Sequence, residues 1–113
     1  MSKRDYKLLV EDMIESFDKI MKFTSQMDFN SFIKEDRTID AVLRNFEVLG
    51  EASKRLPEEF KNNYDHSVWH KAAGLRNRII HNYFGIDYNI IWNVIENELS
   101  TFRNSLIEIK NKI

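Results

Sequence analysis

An arginine, a histidine and a tyrosine lie close together between two glycines of this 113-residue chain, at Arg76, His81 and Tyr83. The stretch reads Gly-Leu-Arg-Asn-Arg-Ile-Ile-His-Asn-Tyr-Phe-Gly and spans residues 74–85. Histidine exchanges protons near neutral pH, and arginine offers a fixed fork of donors that matches a phosphate. Together they suit metal-free cleavage of a phosphodiester, since the 2′-hydroxyl of RNA supplies an internal nucleophile.

The same part of the chain is locally basic, although the formal net charge of the whole chain is only -1. Residues 66–86 contain no aspartate and no glutamate. An electropositive segment of this kind attracts an anion such as a phosphate. Its cationic and titratable side chains are those of His66, His70, Lys71, Arg76, Arg78 and His81.

The spacing of Arg76 and His81 does not by itself establish catalysis. Side chains five residues apart on an ideal helix point about 140° from one another. A long arginine stem can reach around a helix, so the two groups could still converge near its end. A capping histidine and a surface arginine explain the same spacing, and the residues alone leave both interpretations open.

A metal site is the weaker alternative within this stretch. His66 and His70 are four residues apart and could chelate an ion, but no third ligand is close in sequence. The chain also lacks a Glu-x-x-His motif and contains no cysteine. We therefore expect no metal and no other cofactor.

Composition limits the other classes of protein. Seventeen basic and eighteen acidic side chains rule out the bulk positive charge of a non-specific nucleic-acid coat, so any RNA contact must be local. The absence of cysteine fits a reducing compartment. No signal peptide and no apolar run approaching 18 residues is present, so we expect a cytoplasmic protein without membrane contact, folded as one domain over residues 1–113.

Helical periodicity runs through the chain, which has three glycines and one proline. The predicted class is all-α, with four main helices in an antiparallel bundle. Asp28, Thr38 and Asp87 are the candidate N-caps. The predicted main helices cover residues 6–27, a second segment from about 36–38 to Pro57, a third from about Ser67 to a C-cap at Gly85, and a last from Asp87 to the C-terminus.

Two features inside these helices need an explanation. Gly50 lies within the second helix, where glycine costs about 1 kcal/mol against alanine, so it marks the close approach of another helix or of a ligand. Close packing is the favoured explanation. Trp69 and Trp92 fit the apolar stripes of their helices, and we interpret both as core residues rather than as platforms for stacking bases.

The stretch from Arg76 to Tyr83 resembles the Arg-x4-His-x-Tyr signature of the HepT-like toxins, a branch of the HEPN (higher eukaryotes and prokaryotes nucleotide-binding) superfamily. The resemblance extends along essentially the whole chain. Residues 40–52, Asp-Ala-Val-Leu-Arg-Asn-Phe-Glu-Val-Leu-Gly-Glu-Ala, are similar to the family's second-helix pattern. Gly74-Leu75 before the signature and residues 84–87 after it also fit. One departure is Val68, where many relatives have a proline before the tryptophan.

The resemblance implies a four- to five-helix bundle that dimerises and brings Arg76 and His81 of two chains into one cleft. These two residues would be the catalytic pair of a metal-independent ribonuclease, with Asn77 and Arg78 supporting substrate binding. Tyr83 would accept AMP from an MntA-type nucleotidyltransferase antitoxin. AMP next to Arg76 and His81 would compete with RNA for the same charges.

Two alternatives remain open on the sequence alone. The chain could be a non-catalytic module that binds a nucleotide or the nucleotidyltransferase and serves only as its modification target. The intact histidine disfavours this, because an acceptor needs Tyr83 but not His81. A purely structural helical dimer is the other alternative.

Overall fold

The computed structural model describes residues 1–64, 66–80 and 85–113. Its described part contains helices and no strand, which confirms the all-α class. Because residues 81–84 are not among those described, His81 and Tyr83 lie outside the described residues. The helices are α1 Lys3–Thr24, α2 Phe29–Phe32, α3 Asp36–Arg55, α4 Glu58–Lys61, α5 His66–Ile80, α6 Tyr88–Asn97 and α7 Leu99–Lys112.

Helix α1 begins and ends at recognisable local signals. Ser2 and Asp5 form a reciprocal capping box, which satisfies backbone N–H groups of the first turn. The helix ends at Thr24, three residues before the predicted end, and Gln26 has a left-handed φ of 66° that stops helical hydrogen bonding. The apolar face packs inward through Leu9, Val10, Met13, Phe17 and Ile20.

The cap of α2 is confirmed, and the cap proposed for α3 is wrong. Asp28 accepts a hydrogen bond from the Ser31 backbone N–H at 2.8 Å, and the Asp28 backbone N–H donates to the Ser31 hydroxyl oxygen at 3.0 Å. Helix α3 starts at Asp36, with Glu35 at the N-cap and no side-chain cap bond. Thr38 cannot cap, because it already lies inside the first turn.

Pro57 separates α3 from α4, as its missing N–H and fixed φ require. It is the N-cap of α4. Phe60 of α4 is buried. The indole N–H of Trp69 donates to the Lys61 carbonyl at 3.3 Å, which fixes the beginning of α5 against the end of α4.

The predicted single C-terminal helix is two helices. Asp87 caps α6 as expected, by accepting from the Asn89 N–H at 3.0 Å. The chain then breaks at Glu98, whose φ of -119° departs from helical geometry. Val94 and Leu99 are both buried, although five residues of continuous helix would turn them about 140° apart. The break lets both side chains reach the core.

The long helices form a bundle around one core. Helix α1 packs on α3 and α7, and α3 packs on α5. Asp18 pairs with Arg103, and Glu11 pairs with Lys110 at 3.6 Å, so α1 and α7 run antiparallel. Trp69 and Trp92, 5% and 8% exposed, belong to this core as predicted. No described helix has an apolar stretch long enough to cross a bilayer.

Candidate active site

Helix α5 presents its apolar face to the core and its polar face outward. Its buried positions follow helical spacing at Val68, Trp69, Ala72, Leu75 and Ile79. Arg76 adjoins this face and is half-buried, whereas Asn77 and Arg78 are exposed. The core-facing stripe therefore fixes the orientation of α5, and with it the direction in which Arg76 leaves the helix.

The Arg76 side chain points to α3. Its Nη2 lies 3.4 Å from Oε1 of Glu51, and the Arg76 side chain is only 15% exposed, against 53% for Glu51. A guanidinium that is largely enclosed and lies beside a carboxylate loses much of its freedom to rotate. The candidate catalytic arginine is thus held at the contact between α3 and α5 and does not extend freely into solvent.

Gly50 explains how the arginine stem can lie so close to α3. A Cβ at position 50 would lie 2.9 Å from both Cβ and Cγ of Arg76, and closer still to its Cδ. Carbon atoms in proteins do not approach one another to such distances. Only glycine leaves room there, so the prediction that Gly50 marks close packing is confirmed, and its partner is the stem of Arg76.

Arg78 points to a different element. Its Nη2 lies 3.7 Å from Oε2 of Glu98, at the break between α6 and α7. Two residues along a helix turn the direction of a side chain by about 200°. The structure therefore does not bring Arg78 to the partner of Arg76, although both lie in the same basic stretch.

The remaining candidate residues divide between an exposed site and the part of the chain that is not described. Asn77 lies on the exposed side of α5, next to Arg76. His81 and Tyr83 fall within residues 81–84, outside the described residues, as does the stretch over which the sequence predicts that the third helix continues to Gly85. Their distances from Arg76 stay predictions from the sequence.

The local positive charge of residues 66–86 is partly balanced in three dimensions. Glu51 comes from α3 and Glu98 from the α6–α7 junction, so both described arginines of α5 have a carboxylate beside them. The composition of the window does not predict these contacts, because Glu51 lies 15 residues before it and Glu98 lies 12 residues after it. A phosphate that binds here must compete with these carboxylates.

Two sizeable cavities lie away from the candidate residues. They have volumes of about 330 and 340 Å³ and form a groove between α1 and α3, with Asp12, Arg44 and Val48 common to both. Neither is lined by Arg76, Asn77 or Arg78. Glu51 lines the second cavity and also pairs with the Arg76 guanidinium.

Sequence reasoning did not single out Glu51. It appeared there only as part of the family-like pattern over residues 40–52. The available signal was its neighbour Gly50, because a glycine inside a helix predicts a close approach. What approaches Gly50 depends on the packing of α5 on α3.

Comparison with known proteins identifies the family. A family model described as "Ribonuclease HepT-like" matches residues 13–109. The chain is 41% identical over 109 residues to "Putative RNase MJ0127" of Methanocaldococcus jannaschii, covering 96% of this chain and 90% of that protein. It is 32% identical over 108 residues to "Probable ribonuclease HepT" of Thermococcus cleftensis, covering 96% and 98% of the two chains.

No solved structure matches the chain. The part of the chain that the family model matches includes the whole Arg-x4-His-x-Tyr stretch, and also Gly50 and Glu51 of α3. The relatives align over nearly their full lengths. The chain therefore belongs to the HepT-like ribonuclease family of the HEPN superfamily.

Proposed function

We propose that this protein is a metal-independent endoribonuclease, the toxin of a HepT/MntA-type toxin–antitoxin pair. The observation that carries the proposal is the family match over residues 13–109, with Arg76, His81 and Tyr83 all present in it at the signature spacing. The relatives carry names that describe them as RNases. RNA is accordingly the substrate.

The chemistry follows from the two side chains. The 2′-hydroxyl oxygen of RNA attacks the adjacent phosphorus, the P–O5′ bond breaks, and the products are a 2′,3′-cyclic phosphate and a 5′-hydroxyl. His81 moves the proton from the 2′-oxygen to the leaving 5′-oxygen. Arg76 stabilises the additional negative charge on the phosphoryl oxygens, with Asn77 and Arg78 binding the flanking substrate. This route needs no metal ion.

The geometry of Arg76 supports its assigned role. A guanidinium that is held before substrate arrives loses little orientational freedom when it binds a phosphate, which favours stabilisation of the transition state. Arginine also presents paired donors that lysine lacks. Gly50 and Glu51 of α3, which are not part of the signature, restrict the Arg76 side chain in this way.

Control of the toxin rests on Tyr83 and on a partner protein. An MntA-type nucleotidyltransferase would transfer AMP from ATP to the tyrosine oxygen, forming a phosphodiester and releasing pyrophosphate. The added phosphate would occupy the positive field of Arg76 and His81 and exclude RNA. In the active form, a homodimer of this chain would bring two copies of the pair into one cleft.

The direct test is cleavage of a labelled single-stranded RNA by the purified protein in the presence of EDTA. Cyclic-phosphate products and a loss of at least about 100-fold in Arg76→Ala and His81→Ala are expected. Circular dichroism checks that both variants are folded. Intact RNA with the wild-type homodimer, or equal cleavage by His81→Ala, contradicts the proposal.

Growth arrest on expression separates the nuclease from the non-catalytic binding module. Loss of toxicity in both Arg76→Ala and His81→Ala supports the nuclease. Toxicity that survives both substitutions supports a module that acts by binding alone. Tyr83→Phe is expected to remain toxic even when the nucleotidyltransferase is present, because the acceptor oxygen is missing.

Mass spectrometry tests the modification itself. The protein is incubated with its nucleotidyltransferase and ATP, and its intact mass is measured before peptide mapping. One or more AMP units on Tyr83 are expected. An unchanged mass with an active transferase removes the role proposed for Tyr83 and leaves the nuclease proposal to the RNA assay.

A further inference from the structure

We propose that Gly50 and Glu51, two consecutive residues of α3, are positioning residues for the Arg76 guanidinium. The inference rests on the proposed function for its catalytic consequence, and on geometry alone for the positioning. Gly50 provides the surface on which the arginine stem lies, and Glu51 provides the charge at its end. Neither residue needs to touch RNA.

Gly50 controls the path of the stem. Helices α3 and α5 pack against one another, and the first three side-chain carbons of Arg76 fill the space where a Cβ at position 50 would lie. The Cβ of Arg76 cannot move without its helix. An alanine at position 50 must therefore redirect the stem or push α5 away from α3, and either change moves the guanidinium.

Glu51 controls the end of the side chain. Its Oε1 is 3.4 Å from Arg76 Nη2, and half of its own side chain remains in solvent. An ion pair with one partner half in solvent contributes little to folding stability, so the main effect of this one is orientation. Because the carboxylate meets one end of the fork, the contact restricts the rotation of the guanidinium.

A competing explanation makes the opposite prediction. If Glu51 acted only as a nearby negative charge, its removal would strengthen the field that attracts RNA, so KM would fall and kcat/KM would rise. If Glu51 positions Arg76, its removal lowers kcat. The sign of the change therefore distinguishes the two effects.

The first variant is Gly50→Ala, with Gly74→Ala as its matched control. Gly74 lies in α5, and a Cβ there would meet no atom within 4 Å. We expect Gly50→Ala to lower kcat by about 100-fold, the scale of an ångström-sized misplacement. Gly74→Ala is expected to keep wild-type kcat and to be slightly more stable. Unchanged kcat in Gly50→Ala overturns the assignment of Gly50.

Thermal unfolding decides the case in which Gly50→Ala is too unstable to assay. The substitution is repeated in an Arg76→Ala background, where Cγ and Cδ are absent and part of the crowding is relieved. The drop in Tm caused by Gly50→Ala is expected to be smaller in that background. An equal drop in both backgrounds overturns the contact.

The second variant is Glu51→Ala, with Glu47→Ala as control. Glu47 lies one turn earlier on the same helix, lines the same cavity, and pairs with no cation in the described residues. We expect Glu51→Ala to lower kcat several-fold without raising KM, and Glu47→Ala to leave both unchanged. Glu51→Gln keeps an oxygen that accepts from the guanidinium, so it should recover part of the loss. A rise in kcat/KM equal in Glu51→Ala and Glu51→Gln overturns the positioning role.

Nuclear magnetic resonance tests the positioning without any activity. The Nε–Hε signal of Arg76, assigned by its absence in Arg76→Lys, is expected to shift and broaden in Glu51→Ala but not in Glu47→Ala. An unchanged signal overturns the inference. If the wild-type protein leaves RNA intact, only the proposed nuclease function is contradicted. The spectrum still reports whether Glu51 restricts the Arg76 side chain.

Discussion

Arg78 and Glu98 form an ion pair, with 3.7 Å between Nη2 and Oε2, that connects α5 to the junction of α6 and α7. The arginine is 47% exposed in its side chain and the glutamate 25%. Arg76, two residues earlier, pairs instead with Glu51 of α3. The two arginines therefore lie on different sides of α5. We expect their replacement to affect different properties of the protein.

We expect Arg78→Ala to weaken RNA binding while leaving kcat close to the wild-type value. An exposed arginine that contacts a phosphate displaces roughly one counterion, so its loss should reduce the slope of log K against log salt by about 0.7 for a single strand. Fluorescence anisotropy with labelled RNA over a series of KCl concentrations measures that slope. A large fall in kcat, equal to that of Arg76→Ala, would contradict the separation of the two side chains.

The stability of the bundle should depend strongly on Phe17. This side chain is fully buried on α1, with its ring centroid 4.9 Å from that of Phe102 on α7. Phe17→Ala removes the contact and leaves a cavity, at a cost of about 3–5 kcal/mol in the free energy of unfolding. Phe23, on the same helix but 39% exposed, should change it by less than about 0.5 kcal/mol when replaced by alanine. Urea denaturation measures both values.

Acid should weaken the cap of α2. The Ser31 backbone N–H, followed by the Ser31 hydroxyl, holds the pKa of Asp28 below its ordinary value of 3.8. A carboxyl whose pKa is lowered by folding stabilises the native state above its unfolded pKa, and that contribution is lost as the pH falls through the folded pKa. Asp28→Ala should therefore lower Tm at pH 7, and the difference from the wild type should shrink below about pH 4.

Asp28→Asn separates the cap from its titration. Asparagine accepts the same backbone hydrogen bond but carries no ionisable group in this range. Its Tm at pH 7 should stay near that of the wild type, and its acid dependence should lack the Asp28 contribution. A difference between Asp28→Ala and the wild type that persists undiminished at low pH would argue against the charged cap.

The indole N–H of Trp69 gives the fourth prediction. It donates to the Lys61 carbonyl, whereas Trp92, equally enclosed against Phe32, makes no hydrogen bond to the described residues. Replacing each tryptophan with phenylalanine removes similar volume, so Trp69→Phe should cost about 1 kcal/mol more than Trp92→Phe, the value of one hydrogen bond. Equal losses in urea denaturation would show that the hydrogen bond contributes nothing to the start of α5.

Local signals were sufficient where the deciding atoms are neighbours in sequence. The caps at Asp28 and Asp87 and the interruption at Pro57 each depend on backbone groups within a few residues, and the structure contains all three. Thr38 failed as a cap because Asp36 already starts α3. The sequence did not predict the break at Glu98. One continuous helix and two shorter helices give the same spacing of apolar residues along the sequence, and only packing against the core distinguishes them.

The sequence by itself determined the helical class, the inward faces and the family, because periodicity, caps and an ordered signature are all written along the chain. It also indicated that something approaches Gly50. Only the tertiary structure decided that this is the stem of Arg76, that Glu51 meets its guanidinium, and that Arg78 turns to Glu98 instead. Side chains distant in sequence become neighbours through the packing of α5 on α3 and on the α6–α7 junction, and no local pattern encodes those distances.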